Sequence, residues 1–130
     1  LESMNNLARN GRVNIAVAKI AGMLGIRVAG EAKGGQVAPV HKPRGLRKTT
    51  QMLVDMVKER GFRDGGYIRV AHCFAEEAAA DFREALLAEF PHARFMLEPT
   101  TALCSYYAEV GGLMIGFEGA FNTHNDNRLF

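Results

Sequence analysis

Between Asn14 and Leu24 the chain reads NIAVAKIAGML, a stretch whose single charge is Lys19. Wound as a helix with Asn14 as N-cap, its residues Ile15, Ala16, Val17, Ala18, Ile20, Ala21, Met23 and Leu24 cover nearly the whole circumference. A helix that is apolar all round must be buried on every side or must line an apolar cavity. The chain has 130 residues and 48% apolar content, enough for one compact core and too little for two ordinary domains. A core of that size seldom swallows a whole helix, so burial and a cavity wall both stay open as roles for this segment.

The remaining pattern alternates strands and amphipathic helices. Leu1, Met4, Leu7 and Ala8 form an amphipathic helical pattern that starts without a loop or an initiator methionine, as expected of a piece of something longer or of a processed N-terminus. Gly25 ends the apolar helix, Ile26 to Gly30 alternates as a strand, and Lys33-Gly34-Gly35-Gln36 turns into a second strand over Val37 to Lys42. A helix over Leu46 to Arg60 buries Leu46, Thr50, Leu53, Val54 and Val57. Tyr67 to Cys73 is a strand. Ala75 to Phe90 is a helix with Glu76 and Glu77 in its first turn and Ala75, Ala78, Ala79, Phe82, Ala85 and Leu86 on one face, and Pro91 stops it. Strands follow at Arg94 to Glu98 and Gly112 to Phe117. The expected fold class is therefore α/β (α+β): a two-layer arrangement, with a mixed β-sheet of five to six strands covered by helices on one side. Asn122 to Phe130 is polar and aperiodic, and reads as a frayed tail or a cloning remnant.

Charge is concentrated in one place. Lys42, Arg44, Arg47 and Lys48 fall within seven residues that contain no acid, in a chain whose formal charge is only +2. That total is too small for a nucleic-acid-binding face. Cations in a helix's first turn oppose the macrodipole, so the loop reads either as a docking surface for an anionic partner or as a basic, solvated helix end. Cys73 and Cys104 lie in apolar segments without CxxC spacing and are expected to be two buried free thiols in a reducing cytoplasm, although their spacing leaves a disulfide open. No apolar run approaches a membrane span, and the N-terminus lacks the form of a signal peptide.

Most catalytic chemistries find little support. His72 and Cys73 are strand neighbours facing opposite ways, so a metal site built from them with Cys104, His41 or His92 is disfavoured. A Cys104–His72 nucleophilic pair would need convergence that spacing does not supply. GxxxxGK[ST] and strand-linked GxGxxG are both missing, which argues against a self-contained nucleotide site. What remains is the apolar helix, Arg12 beside it, the basic loop, and Thr100-Thr101-Ala102-Leu103-Cys104-Ser105-Tyr106-Tyr107 ahead of Gly111-Gly112. Together they suit an amphiphile with an anionic head and a long apolar tail. Burying methylenes yields ~0.8 kcal/mol each, so an acyl tail contributes on the order of 10 kcal/mol before binding costs. Arginine and hydroxyl groups would then select the carboxylate.

The succession LESMNNLARNGRVN, an apolar helix, MLGIRV, GGQVAPVHKPRGLRK and CSYYAEVGGLMIGFEG resembles the C-terminal domain of the DegV family of bacterial fatty-acid-binding proteins. The match runs from Leu1 to about Gly119, through the order and separation of these segments rather than one motif. The resemblance implies a two-domain parent, of which residues 1–120 would be the second domain and residues 121–130 a polar tail. The absent N-terminal domain, a parallel-sheet α/β unit, would supply Ser and Thr residues for the fatty-acid carboxylate. It implies no enzyme activity and no cofactor, only a long-chain fatty acid held as ligand and presented to a separate ATP-dependent fatty acid kinase. Arg12 matches an arginine near the head-group network, and Arg44 matches a Lys-x-Arg loop position that faces the kinase. The family commonly has a histidine followed by a Gly-Pro-Gly turn near its C-terminus. Here Ser105 to Gly112 holds that place, with Tyr107 at the histidine position, and a tyrosine can donate one hydrogen bond but cannot become cationic.

These readings converge on specific residues. Val17, Ile20, Ala21 and Leu24 are expected to wall an acyl channel, with Arg12, Ser105 and Tyr107 near the head group. Lys42, Arg44, Arg47 and Lys48 are expected to contact a protein partner. One alternative is an interaction module that docks through residues 42–48 without a ligand, and another is a small hydrolase using Cys104. Self-association of an exposed interdomain face is a further expectation for the isolated fragment.

Overall fold

The computed structural model describes residues 1–119; the tail expected from Asn122 to Phe130 lies outside the described residues. Strand β3, Tyr67–His72, organises the larger half of the molecule. It pairs in parallel with β4, Arg94–Pro99, and antiparallel with β5, Leu113–Phe117, giving a mixed sheet of order β4-β3-β5. Helix α4, Glu76–Glu89, is the crossover between the two parallel strands, and α3, Leu46–Glu59, packs beside it. The period-two pattern of β3 sends Ile68, Val70 and His72 into the helix layer. There Ile68 and Val70 meet Val54 and Val57 of α3, Ala79, Phe82 and Leu86 of α4, and Phe62 from the intervening turn. Phe62 stands edge-on to Phe90 and to Phe117 at 5.1 and 5.8 Å, a favoured aromatic geometry.

The opposite face of this sheet is uncovered and mixed, exposing Tyr67, Met96 and Met114 beside Arg69, Arg94 and Glu98. Arg94 lies over the Tyr67 ring at 3.8 Å and Arg69 reaches Glu98 at 3.6 Å; Tyr67, Arg69, Arg94, Met96 and Gly116 border a shallow groove of about 990 Å³. The turns that lead into β3 and β4 are tied by Asp64, which accepts from the His92 amide at 2.8 Å and faces its Nδ1 at 2.7 Å. The side-chain bond from His92 holds the Asp64 carboxyl below its ordinary range.

The N-terminal third forms a second, smaller core. Helix α1, Asn5–Arg9, and helix α2, Ile15–Ala18, pack with the hairpin β1, Ala29–Lys33, and β2, Gln36–His41, around Met4, Leu7, Val13, Ala18 and Val28. The mixed α/β class agrees with the sequence. The five strands among the described residues, however, divide between two sheets, because β1 and β2 pair there only with each other. A bulge between Ala29 and Gly30 shifts the hairpin register, and the long α3 intervenes before β3 begins.

The apolar segment departs most from expectation. Helix α2 stops at Ala18; a turn follows, then a single 3₁₀ turn over Met23–Gly25. Gly22 sits at φ +81 and Leu24 at φ +50, so the backbone reverses twice where one continuous helix was expected. β-Branched Ile15, Val17 and Ile20 resist helix propagation, and the Gly22 amide bonds back to the Ile26 carbonyl at 2.9 Å instead of continuing a helix. The segment is also not enclosed, since Leu24 is 75% and Ile15 is 63% exposed. Another element went unexpected: residues Ala102–Ala108 form helix α5, which the run from Thr100 to Tyr107 did not announce.

The two populations of leucine lead to opposite expectations. Replacing fully buried Leu86 by Ala should cost about 2–5 kcal/mol of stability, whereas Leu24→Ala should stay within about 0.5 kcal/mol. Urea unfolding followed by circular dichroism measures both.

Candidate functional site

Three chain segments meet at the end of the mixed sheet where the parallel strands finish. The Thr100 amide donates to the His72 carbonyl, the Cys73 amide to the Gly112 carbonyl, and the Gly111 amide to the Cys73 carbonyl, at 2.8–2.9 Å. The C-terminal ends of parallel strands are where α/β sheets most often build sites. The backbone here is strained: Phe74, Ala102 and Glu109 all have positive φ, at 46°, 43° and 54°. Non-glycine residues hold such conformations only when their surroundings over-determine them. The same rim carries exposed apolar side chains, with Phe74 79% exposed and Leu103, Tyr106 and Val110 also open to solvent. Such a cluster marks a surface meant to be covered.

A chain of hydroxyls runs beneath this rim. Thr100 Oγ1 donates to the His72 carbonyl at 3.2 Å and lies 2.8 Å from Ser105 Oγ. Each hydroxyl has one proton, so with the Thr100 proton committed to the carbonyl, Ser105 is the donor to Thr100. Ser105 therefore has no proton left for a ligand unless this chain rearranges. His72 is buried, and its Nδ1 accepts from the Ala75 amide at 3.3 Å.

Helix α5 is fastened to the N-terminal core by a second network. Glu109, just past its end, accepts from Ser3 Oγ at 2.8 Å with one carboxylate oxygen and from the Asn6 amide at 3.1 Å with the other. Asn6 Nδ2 donates to the Tyr106 carbonyl at 2.9 Å, and Asn10 Nδ2 to the Tyr106 hydroxyl at 3.2 Å. Glu2, held by Arg27 at 2.6 Å, packs its carboxylate against Gly111. These contacts join residues about a hundred positions apart in the chain and close the smaller core over the end of the sheet.

Of the residues singled out from sequence, Val17, Ala21 and Tyr107 come together, all half-buried against the smaller core. Ile20 is half-buried, while Leu24 points outward. Arg12 is exposed, and its Nη1 donates to the Gly35 carbonyl at 3.1 Å. Its own carbonyl accepts from the Val37 amide at 2.9 Å, so Arg12 is anchored to the hairpin turn. No hydrogen bond joins Arg12 to Tyr107 among the described residues. Sequence reasoning missed Glu109, Asn6 and Asn10. Only the placement of an acid directly before Val110-Gly111-Gly112 could have signalled Glu109.

The cations of the basic loop are displayed rather than used. Lys42, Arg44, Arg47 and Lys48 are exposed, and none forms an ion pair among the described residues. Their backbone is nonetheless fixed: Ile26 and Arg44 form an antiparallel bridge, the Arg27 amide donates to the Pro43 carbonyl, and the Gly45 amide to the Gly25 carbonyl. Gly45, at φ +84, precedes α3, whose first turn has no side-chain cap and no acid. The positive helix end and the four cations therefore stand together uncompensated.

The cysteines separate. Cys73 is buried, as expected, but Cys104 is exposed on α5, because the segment expected to bury it is a short surface helix. Cys104 makes no hydrogen bond to His72 among the described residues. No group of three or more His, Cys, Asp or Glu among those residues could hold a metal ion, and no helix is long and apolar enough to cross a membrane.

The model of the uncharacterised DegV family matches residues 1–119. The chain belongs to the DegV family. A DegV domain-containing protein of Streptococcus pyogenes serotype M3 is 34% identical over 119 residues, covering 91% of this chain and 42% of its own. One from Streptococcus pneumoniae strain R6 is 35% identical over the same length. The DegV chain thus spans under half the length of these curated relatives. Among solved structures, a DegV family protein of Eubacterium eligens loaded with heptadecanoic acid superposes with a TM-score of 0.86 at 34% identity, covering 92% of this chain and 44% of that one. The Streptococcus pneumoniae fatty acid kinase (Fak) B3 protein loaded with linoleic acid gives 0.84 at 34% identity, over 91% and 42% of the two chains. A DegV fold from Corynebacterium glutamicum at 22% identity repeats the architecture with a TM-score of 0.78.

The close approach at Gly111 in this DegV chain gives a direct check. Gly111 has φ +89, and a Cβ there would lie 2.6 Å from the Glu2 carboxylate. Gly111→Ala should therefore destabilise the chain by about 1–3 kcal/mol, read as a lowered denaturation midpoint.

Proposed function

We propose that this chain is the lipid-holding second domain of a DegV protein, which binds a long-chain fatty acid and presents it to a separate fatty acid kinase. The observation that carries the reading is its 34% identity, with TM-scores of 0.86 and 0.84, to two proteins whose structures hold heptadecanoic acid and linoleic acid. The strained, partly apolar rim at the end of the sheet supports it, since a surface of that kind needs a cover. The cover in this reading is an acyl tail together with an N-terminal α/β domain, which supplies Ser and Thr contacts to the carboxylate. Val17, Ile20, Ala21 and Leu24 form this domain's share of the channel wall. Arg12, Ser105 and Tyr107 stand on the head-group side, and Arg12 must release the Gly35 carbonyl to take part. The protein is a binder rather than an enzyme and works without a cofactor in the cytoplasm; residues 1–120 are its lipid-holding second domain and residues 121–130 a polar tail.

Lipid content of the full-length protein decides the matter. Native mass spectrometry should find a long-chain fatty acid on the purified protein, and its absence sinks the reading. Leu24 is exposed, so Leu24→Asp should leave the melting temperature nearly unchanged while lowering fatty-acid retention about tenfold, as expected for ~1.4 kcal/mol of lost binding.

A second reading is favoured by the basic loop, whose backbone is hydrogen-bonded in place and whose exposed cations form no ion pairs among the described residues. In that reading Lys42, Arg44, Arg47 and Lys48 dock an acidic protein surface with no ligand involved. Combining Arg44→Glu with Arg47→Glu should then abolish partner binding and leave lipid content untouched, as judged by pull-down beside lipid extraction. Loss of lipid with intact partner binding would contradict a docking role.

A further inference from the structure

Glu109 is the residue whose presence is hardest to explain from packing alone. Its backbone, at φ 54 and ψ 168, lies in a region that glycine occupies and other residues avoid. Such a conformation persists only where the surroundings enforce it, and here the enforcement is visible. Both carboxylate oxygens are used, one by Ser3 Oγ at 2.8 Å and one by the Asn6 amide at 3.1 Å. Charge-assisted bonds of this type are stronger than neutral ones. The chain thus keeps a strained glutamate where a glycine would be comfortable, and gains a two-pronged tie from the end of α5 to the start of α1.

The tie acts on the neighbouring tyrosines. Tyr106 is gripped through its carbonyl by Asn6 and through its hydroxyl by Asn10, and Tyr107 packs against the same core edge-on to Tyr106 at 5.2 Å. Release of Glu109 would free Asn6, and with Asn6 the carbonyl that sets the last turn of α5. We propose that Glu109 is a positioning residue: its clasp on Ser3 and Asn6 sets the orientation of α5, and so of Tyr107, at the rim of the site. The role in ligand retention rests on the fatty-acid reading above. The clasp itself does not.

Glycine and alanine replacements separate positioning from stability. Glu109→Gly removes both the clasp and the strain, whereas Glu109→Ala removes the clasp and keeps the strain. In the full-length protein loaded with linoleic acid as probe, both variants should release it at least tenfold faster than wild type. Glu109→Gly should nevertheless melt within a few degrees of wild type, and Glu109→Ala should melt lower. Amide hydrogen exchange over residues 102–112 should accelerate at least tenfold in both variants and in Ser3→Ala combined with Asn6→Pro only if the clasp orders α5. Unchanged exchange in Glu109→Gly overturns the clasp. Accelerated exchange with unchanged release of linoleic acid overturns the positioning role while leaving the fatty-acid reading intact. A wild-type protein that takes up no linoleic acid overturns the fatty-acid reading and the retention role together, and the exchange data still decide the clasp.

Discussion

The whole molecule hangs on the burial of one strand. Ile68 and Val70 of β3 are inaccessible to solvent, with β4 and β5 on either side and a helix layer above. Each buried aliphatic side chain is worth about 1.5–3 kcal/mol relative to exposure. Every other arrangement at the functional end follows from where β3 stops. His72, the last residue of the strand, carries its imidazole to the Ala75 amide and its carbonyl to Thr100. Cys73 then turns the chain against Gly111 and Gly112. These shared backbone bonds hold the positive-φ turns at Phe74 and Ala102 against the end of the sheet, while Glu109 is held from the other side by Ser3 and Asn6.

Much of this was legible in the sequence where a periodic signal met a clear stop. Helix α4 begins beside an acidic first turn and ends before Pro91; α3 begins after Gly45 and ends before Gly61. In both, the apolar stripe matches the buried face. Strand β3 was readable because a short run rich in strand-favouring Tyr67, Ile68 and Val70 follows the Asp64-Gly65-Gly66 turn. The site was less legible. In the apolar segment, composition argued for a helix, but Gly22 takes a left-handed turn and the β-branched residues propagate a helix poorly, while an apolar composition does not tell that Ile15, Met23 and Leu24 face outward. Helix α5 is seven residues long and lacks a capping side chain, so neither periodicity nor a start signal marks it. Glu109 was invisible because its importance comes from partners near Ser3, about a hundred residues away, and no local pattern encodes that pairing.

The candidate site also shows how two kinds of exposed surface differ in meaning. The outer face of the sheet is open, but it is internally satisfied: Arg69 faces Glu98, and Arg94 stacks on Tyr67 while donating to the Gly65 carbonyl. Its apolar members, Tyr67, Met96 and Met114, are interleaved with those charged groups. The rim instead exposes Phe74, Leu103 and Val110 at 66–79%, on a segment with positive φ at Phe74, Ala102 and Glu109. Family membership and the loaded state of two similar proteins give that contrast its functional weight.

The division into two cores has a dynamic consequence. The larger core is built from eight buried side chains with sheet and helices interlocked, and the smaller from five, arranged around a two-stranded hairpin. Cooperative units open in order of the contacts they forfeit. The hairpin unit is thus the part that breathes first, while β3 and its helices stay closed. The tie that Glu109 makes to Ser3 and Asn6 therefore fastens α5 to the less deeply cored half of the molecule, beside the frame around β3.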